Sequence, residues 1–130
     1  MASTMKALVK QARAEGARLE QVPVPSPQAG EVLVKVTATA ICGTDVHIYQ
    51  WNKWAQGRIK PPLVFGHEFC GEVVELGEGV DDIALGTRVS AEGHFVCGTC
   101  YFCRTGQAHI CQDVEIIGVD TDGCFAEYVR

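Results

Sequence analysis

Four cysteines crowd into one short stretch of this chain, and no part of the sequence restricts the fold more. The segment Cys97-Gly-Thr-Cys100-Tyr-Phe-Cys103-Arg-Thr-Gly-Gln-Ala-His-Ile-Cys111 sets three thiols three residues apart, with the fourth eight residues later. Tetrahedral zinc needs four soft donors about 2.3 Å from one centre, and a tight glycine-containing loop with two-residue gaps brings neighbouring sulfurs that close. Four thiolates saturate the ion, so such a site is structural rather than catalytic. Disulfides and buried free thiols are the competing readings. The chain has seven cysteines, an odd number, and its start, MASTMKALVK, lacks the apolar stretch of a secretory signal; both point to metal. An iron-sulfur cluster is a further alternative, but in ferredoxins the fourth ligand of a C-x2-C-x2-C run comes sooner and is followed by proline. Here Cys111 is followed by Gln112.

The rest of the composition is that of an ordinary globular domain, 47% apolar and 21% charged over 130 residues, enough for one core. A net charge of −5 without any cluster of Lys or Arg argues against nucleic acid or an anionic membrane surface as partner. No apolar run has the length of a membrane span. The expected setting is the cytoplasm, and the expected partner a small molecule or another protein.

Alternating or β-branched runs recur at 7–10, 32–37, 71–76, 87–91, 115–119 and 125–129, separated by turn signals. Those signals are Pro23, Pro25 and Pro27, the Pro61-Pro62 pair, Gly77-Glu-Gly79 and the stretch from Asp120 to Gly123. The pattern predicts a mainly β domain, a barrel or sandwich of short strands. One short helix is expected from Thr44 to Trp54, capped by Thr44 or Asp45, with Trp51 and Trp54 on one face. The sequence ends inside the strand-like run at 125–129, which reads as a truncation.

A second group of donors lies apart from the cysteine segment: Cys42 in Ile-Cys-Gly-Thr-Asp-Val-His, and His67-Glu68 in Phe-Gly-His-Glu-Phe. Cys, His and carboxylate are the donors of an open zinc site that leaves a position for substrate or water. The alternative is a core cysteine and a satisfied histidine in separate turns.

Ile-Cys-Gly-Thr-Asp-Val-His at 41–47, Gly-His-Glu at 66–68, Val-Val-Glu-Leu-Gly-Glu-Gly-Val at 73–80, Gly-Thr-Arg-Val at 86–89 and the four-cysteine segment stand in an order that resembles the N-terminal part of the zinc-containing medium-chain alcohol dehydrogenases. The resemblance runs from about Met5 to Arg130. It implies a partly open β-barrel, the GroES-like catalytic domain of that family, with short helices and a zinc-binding loop lobe, filling residues 1–130. It also implies a nucleotide-binding Rossmann domain outside this chain. Cys42 and His67 would hold a catalytic zinc, with Glu68 as a permanent or exchangeable ligand. Cys97, Cys100, Cys103 and Cys111 would hold a structural zinc. Thr44 and His47 match the family's proton relay, while a further carboxylate or thiol ligand would lie beyond Arg130.

Cys42-Gly-Thr44-Asp-Val-His47-Ile-Tyr, the stretch Trp51 to Trp54, Glu92-Gly-His94 and Gly123-Cys-Phe-Ala-Glu-Tyr128 are most similar to members that oxidise the secondary alcohol of L-threonine to 2-amino-3-oxobutanoate with NAD. A polyol or another secondary alcohol is the alternative substrate. A non-catalytic, zinc-stabilised module is the alternative of a different class. The family implies a homo-oligomer, a tetramer, when the protein is full length. A nicotinamide site needs a glycine-rich turn opening a helix, and Gly77-Glu-Gly79 followed by Val80-Asp81-Asp82 reads as a hairpin turn, so the chain holds half of an active site. His94 is expected at substrate or as a loop cap. Cys70 and Cys124 are expected to be buried apolar residues, His109 to lie on the loop surface, and Trp51 and Trp54 to line core or cleft.

Overall fold

The computed structural model describes residues 3–130. Strand β1 (Thr4–Lys10) turns Met5, Ala7 and Val9 to the inside by the two-residue period of an extended chain. It is flanked by β2 (Arg18–Pro23) and β4 (Leu63–Val64), both antiparallel. A second sheet is built on β3 (Val32–Thr39) and β5 (Phe69–Leu76), which pair from Val32 opposite Leu76 to Thr39 opposite Phe69, with register shifts after Leu33 and Val36. The β6 strand (Arg88–Ser90) lies on the outer edge of β5, and β9 (Tyr128–Val129) on the outer edge of β3. The ribbon of β7 (His94–Phe95) and β8 (Glu115–Ile116) leads into and out of the cysteine segment. The sheets do not close on one another, which is the partly open, mainly β architecture expected from the sequence.

The segment before β9 stitches these pieces together. Gly123 N–H donates to the Val64 carbonyl at 2.7 Å, Cys124 N–H to Gly66 at 2.9 Å and Phe125 N–H to Phe65 at 3.0 Å. Leu8 N–H then donates to the Phe125 carbonyl, Ala126 bridges Ala7, and Val36 N–H reaches the Glu127 carbonyl. Phe125 packs edge-on to Phe65 at 5.2 Å and touches the two larger apolar clusters, one around Val34 and Val73 and the other around Ile48 and Phe65. Such closeness requires glycine. A Cβ on Gly123 would stand 2.1 Å from the Gly66 oxygen, and one on Gly118, whose φ is +72°, 2.2 Å from the same atom.

Several sequence expectations are corrected. The strand at Arg18–Pro23 was not expected: it is an edge strand with Leu19 exposed, so it lacks a clean apolar alternation. Residues 115–119 form only the two-residue β8 before a turn closed by Gly118 N–H to the Thr121 carbonyl. The expected helix is two helices, α1 (Gly43–Gln50) and α2 (Lys53–Arg58), broken at Trp51, which takes a left-handed φ of 55°. Trp51 and Trp54 therefore share no helix face. The N-cap of α1 is Cys42 rather than Thr44 or Asp45, and Asp45 sits at the third helical position with its carboxylate accepting the Cys42 N–H at 2.8 Å. Gly77 to Gly79 form a turn, with Val80 N–H donating to the Gly77 carbonyl and no helix following. Among the described residues no helix is long and apolar enough to cross a membrane.

Lys10 fixes the break between the helices. Its side chain is fully buried, and its ammonium donates to the carbonyls of Ala14, Gly16 (2.9 Å) and Tyr49 (3.1 Å) while lying 5.1 Å from the centre of the Trp51 ring. Burial pulls this ammonium below its usual pKa. The three carbonyls, that of Tyr49 near the end of α1 among them, and the ring offset that desolvation.

The glycine contact can be tested by adding one carbon. Gly123→Ala should lower unfolding free energy by about 3 kcal/mol, the upper part of the usual overpacking range, in urea denaturation. Gly57→Ala, inside α2 with open space around it, should instead stabilise by about 0.5–1 kcal/mol. Equal effects of the two would remove the close contact from the account.

Candidate functional site

The cysteine segment folds as a lobe on the β7–β8 ribbon. Its first turn leads into α3 (Tyr101–Arg104), capped at its start by Cys100, and a 3-10 turn at Ala108–Ile110 returns the chain to Cys111. Sulfur separations are 3.9 Å for Cys97–Cys103, 3.5 Å for Cys100–Cys103, 3.9 Å for Cys100–Cys111 and 3.5 Å for Cys97–Cys111. Four sulfurs each about 2.3 Å from a common centre stand about 3.8 Å apart, so one zinc fits among them. All seven cysteines are free, and these four sulfurs are too far apart for disulfide bonds, which are about 2.05 Å long.

Backbone donors prepare the lobe for thiolates. Cys100 N–H points at Cys97 Sγ (3.3 Å), Cys97 N–H at Cys111 Sγ (3.4 Å) and Asp113 N–H at Cys111 Sγ (3.4 Å). The N–H groups of Thr99 and Cys100 hold the Cys97 thiol down at about 6. Desolvation pushes Cys103 the other way, up to about 12, and its sulfur neighbours add to the rise. Without a cation the group cannot carry four negative charges at once; a divalent ion removes that obstacle and releases protons as it binds.

Cys42, His67 and Glu68 also come together, from the start of α1 and from the turn between β4 and β5, with one donor atom from each within 4.8 Å of the others. The alternative of a cysteine and a histidine in unrelated turns does not hold. Cys42 and His67 are half-buried and Glu68 is exposed, so the three donors stand at the surface, one fewer than a closed tetrahedral set. The turn that carries His67 begins at Gly66, whose φ of +95° and crowding by the Phe125 ring admit no side chain. The Glu68 carbonyl accepts Ala40 N–H at 3.0 Å and faces the Cys124 thiol at 3.6 Å.

Asp45 was missed as a site residue by the sequence reading, which considered it only as a helix cap. It is 2% exposed; one oxygen takes the Cys42 N–H, and the other lies 3.7 Å from His67 Nδ1. Both of those facing atoms are otherwise buried and unpartnered. With Nδ1 turned to a carboxylate, Nε2 is the nitrogen left for a metal, and a carboxylate behind a histidine is the usual means of orienting such a ligand. Burial pushes the Asp45 carboxyl above the usual range, which the Cys42 N–H and His67 oppose. The available signal was an acidic residue three positions after a helix-capping Cys42, the spacing of a capping box.

The remaining candidates are placed as follows. Thr44 Oγ1 lies 3.8 Å from Cys42 Sγ, half-buried beside the open trio. His47 is exposed on α1, its Nδ1 at 2.9 Å from Asn52 Nδ2 and its ring 6.3 Å from that of Trp54. His94 pairs with Glu92 at the surface, and the pairing holds the Glu92 carboxyl below its usual range. His109 is exposed. Cys124 is fully buried, with burial pushing its thiol up to about 11, while Cys70 is half-buried with its sulfur 3.6 Å from Thr37 Oγ1.

Comparison with known proteins fits this geometry. The chain is 61% identical over 128 residues to the L-threonine 3-dehydrogenase of Pyrococcus abyssi, covering 98% of itself and 37% of that relative. Among solved structures it resembles a zinc-binding dehydrogenase from Sinorhizobium meliloti 1021 bound to NADP, with a TM-score of 0.85 and 40% identity over 98% of this chain and 36% of that one. It also resembles a short chain alcohol dehydrogenase from E. coli CFT073 complexed with NADH, with a TM-score of 0.86 and 37% identity over the same shares. The model of the alcohol dehydrogenase GroES-like domain matches residues 28–130, from the turn before β3 through both donor clusters to the last residue, and the chain belongs to that family.

Proposed function

We propose that this chain is the metal-binding, substrate-side domain of a zinc- and NAD-dependent dehydrogenase that oxidises the secondary alcohol of L-threonine to 2-amino-3-oxobutanoate. The observation that carries the reading is the meeting of Cys42, His67 and Glu68 at a surface beside the Thr44 hydroxyl. A closed set of four donors stabilises a fold; an open set of three beside a hydroxyl suits chemistry. The 61% identity to a threonine dehydrogenase supports the choice of substrate.

Each residue then has a task. Cys42, His67 and Glu68 hold the catalytic zinc, which when bound acts as a Lewis acid on the substrate hydroxyl oxygen. Asp45, facing His67 Nδ1, leaves Nε2 as the nitrogen that would hold the metal. Thr44 takes the hydroxyl proton and His47, exposed one turn further along α1, exchanges it with water. Cys97, Cys100, Cys103 and Cys111 hold the structural zinc. The hydride acceptor is bound by a nucleotide-binding domain outside these residues, in keeping with a chain that spans 37% of its relative's length and whose Gly77 to Gly79 segment is a turn without a following helix.

In a full-length protein containing this chain, kcat/KM for NADH formation should be higher with L-threonine than with simple secondary alcohols or polyols. The reverse order would keep the family and discard threonine. In the same protein His47→Asn should lower turnover by about 100- to 10,000-fold, the range of a general acid-base group, with zinc content unchanged. Near-parental turnover across pH would take His47 out of the mechanism.

The lobe makes its own prediction. Cys100→Ser should remove one zinc per chain and lower the melting temperature, because metal-binding free energy is folding free energy for such a loop. Acidification should also release this zinc, since protons compete for the sulfurs, and most strongly for Cys103 with its raised value. Unchanged metal content in the variant would refute the structural assignment.

A further inference from the structure

We infer that Asn52 is a positioning residue for His47: it fixes which ring nitrogen carries the proton, leaving Nδ1 bare and the proton on Nε2. The inference rests on the reading of His47 as the proton carrier and adds to it the residue that sets its starting state.

Two hydrogen bonds decide the matter together. Asn52 is the N-cap of α2, and its Oδ1 accepts the Ala55 N–H at 3.1 Å. That bond removes the freedom of the amide to turn over, because the reversed amide would point N–H at N–H. The group left facing His47 is therefore Nδ2, a donor with no lone pair to offer, 2.9 Å from Nδ1. Nδ1 must accept, so the neutral ring carries its hydrogen on Nε2.

The backbone places Asn52 there. Trp51 leaves α1 in a left-handed turn, and Asn52 N–H donates back to the His47 carbonyl at 3.4 Å. Gln56 Nε2 donates to the Trp51 carbonyl at 2.9 Å, and Lys10 binds the Tyr49 carbonyl against the Trp51 ring. The first turn of α2 thus closes under the last turn of α1, with Trp54 tilted 57° to the imidazole on its other approach. One short helix supplies both contacts to the ring.

The tautomer matters because a neutral imidazole passes a proton by losing one nitrogen's hydrogen while the other gains one. With hydrogen on Nε2, the ring releases that proton to water there, while Nδ1 takes the proton passed on from Thr44 as the Asn52 N–H gives way, so atoms and charge balance and the proton leaves the site. The product ring has Nδ1–H opposed to the Asn52 amide hydrogens, a clash that drives it back to the first tautomer. Asn52 thereby holds His47 in its proton-giving form between transfers. Asp or Ser would cap α2 equally well; the amide is needed only for the histidine.

The test is long-range 1H–15N spectroscopy of the zinc-loaded protein in mildly alkaline buffer. The parent should show His47 Nδ1 unprotonated and Nε2 protonated, with a coupling across the hydrogen bond between Asn52 Nδ2 and Nδ1. Asn52→Asp keeps an oxygen for Ala55 N–H, so helix content should stay the same, but it turns an acceptor to the ring and should move the proton to Nδ1. A parent ring protonated on Nδ1, or an aspartate variant with the parent pattern, would overturn the inference, and the parent spectrum decides even if the variant does not fold. Neither result depends on turnover, so failure of the relay, seen in His47→Asn kinetics, stays distinguishable from failure of the positioning.

Discussion

The Gly66 carbonyl is the point on which the two halves of the domain turn. Gly118 and Gly123 both press against it without side chains, and the Cys124 N–H donates to it at 2.9 Å. Because the backbones touch there, the segment leading to β9 can pair with β4 on one side and reach β1 and β3 on the other. The same contact sets His67, the next residue, at the mouth of the fold opposite the first turn of α1. Packing and chemistry are thus linked through one peptide group: what joins the sheets also brings a histidine to a cysteine twenty-five residues away.

The two donor clusters differ in the way their charge is managed. In the cysteine lobe, short loops aim backbone N–H groups at sulfur, and the lobe's own turns are too small to bury a core, so a metal bound by the four sulfurs would give them a common interior. In the second cluster one donor residue, Glu68, is exposed, and a buried carboxylate faces another, His67, from behind. The first arrangement completes a coordination shell. The second, three donors, would leave the shell of a metal open, as the proposed binding of substrate at a metal requires.

Local spacing made the first cluster legible in the sequence, since steps of three and eight in a glycine-containing loop leave few ways to arrange four thiols. The strands around β3 and β5 were legible from their β-branched runs, and Gly77 to Gly79 from the residues that follow. Distant meetings were less so. Nothing local brings His67 to Cys42; the family resemblance suggested it, and the glycine contacts at Gly66 accomplish it. The break at Trp51 escaped the reading because its cause is Lys10, forty-one positions earlier, whose ammonium binds the Tyr49 carbonyl near the end of α1 and lies over the Trp51 ring. Asp45 escaped because a capping residue and a histidine's partner look the same along the chain. The edge strand β2 gave too little apolar alternation to be seen.

The central claim is that one chain holds two zinc ions in unlike surroundings, and zinc-edge X-ray absorption with a metal count on the zinc-loaded protein tests it most directly. The account predicts two zincs per chain and a spectrum that is the sum of a four-sulfur shell at about 2.3 Å and a mixed shell with nitrogen and oxygen at about 2.0–2.2 Å. In Cys42→Ala the mixed shell should vanish and the four-sulfur shell remain. One zinc per chain with only the four-sulfur shell would contradict it, and Cys42, His67 and Glu68 would then be neighbours without a metal.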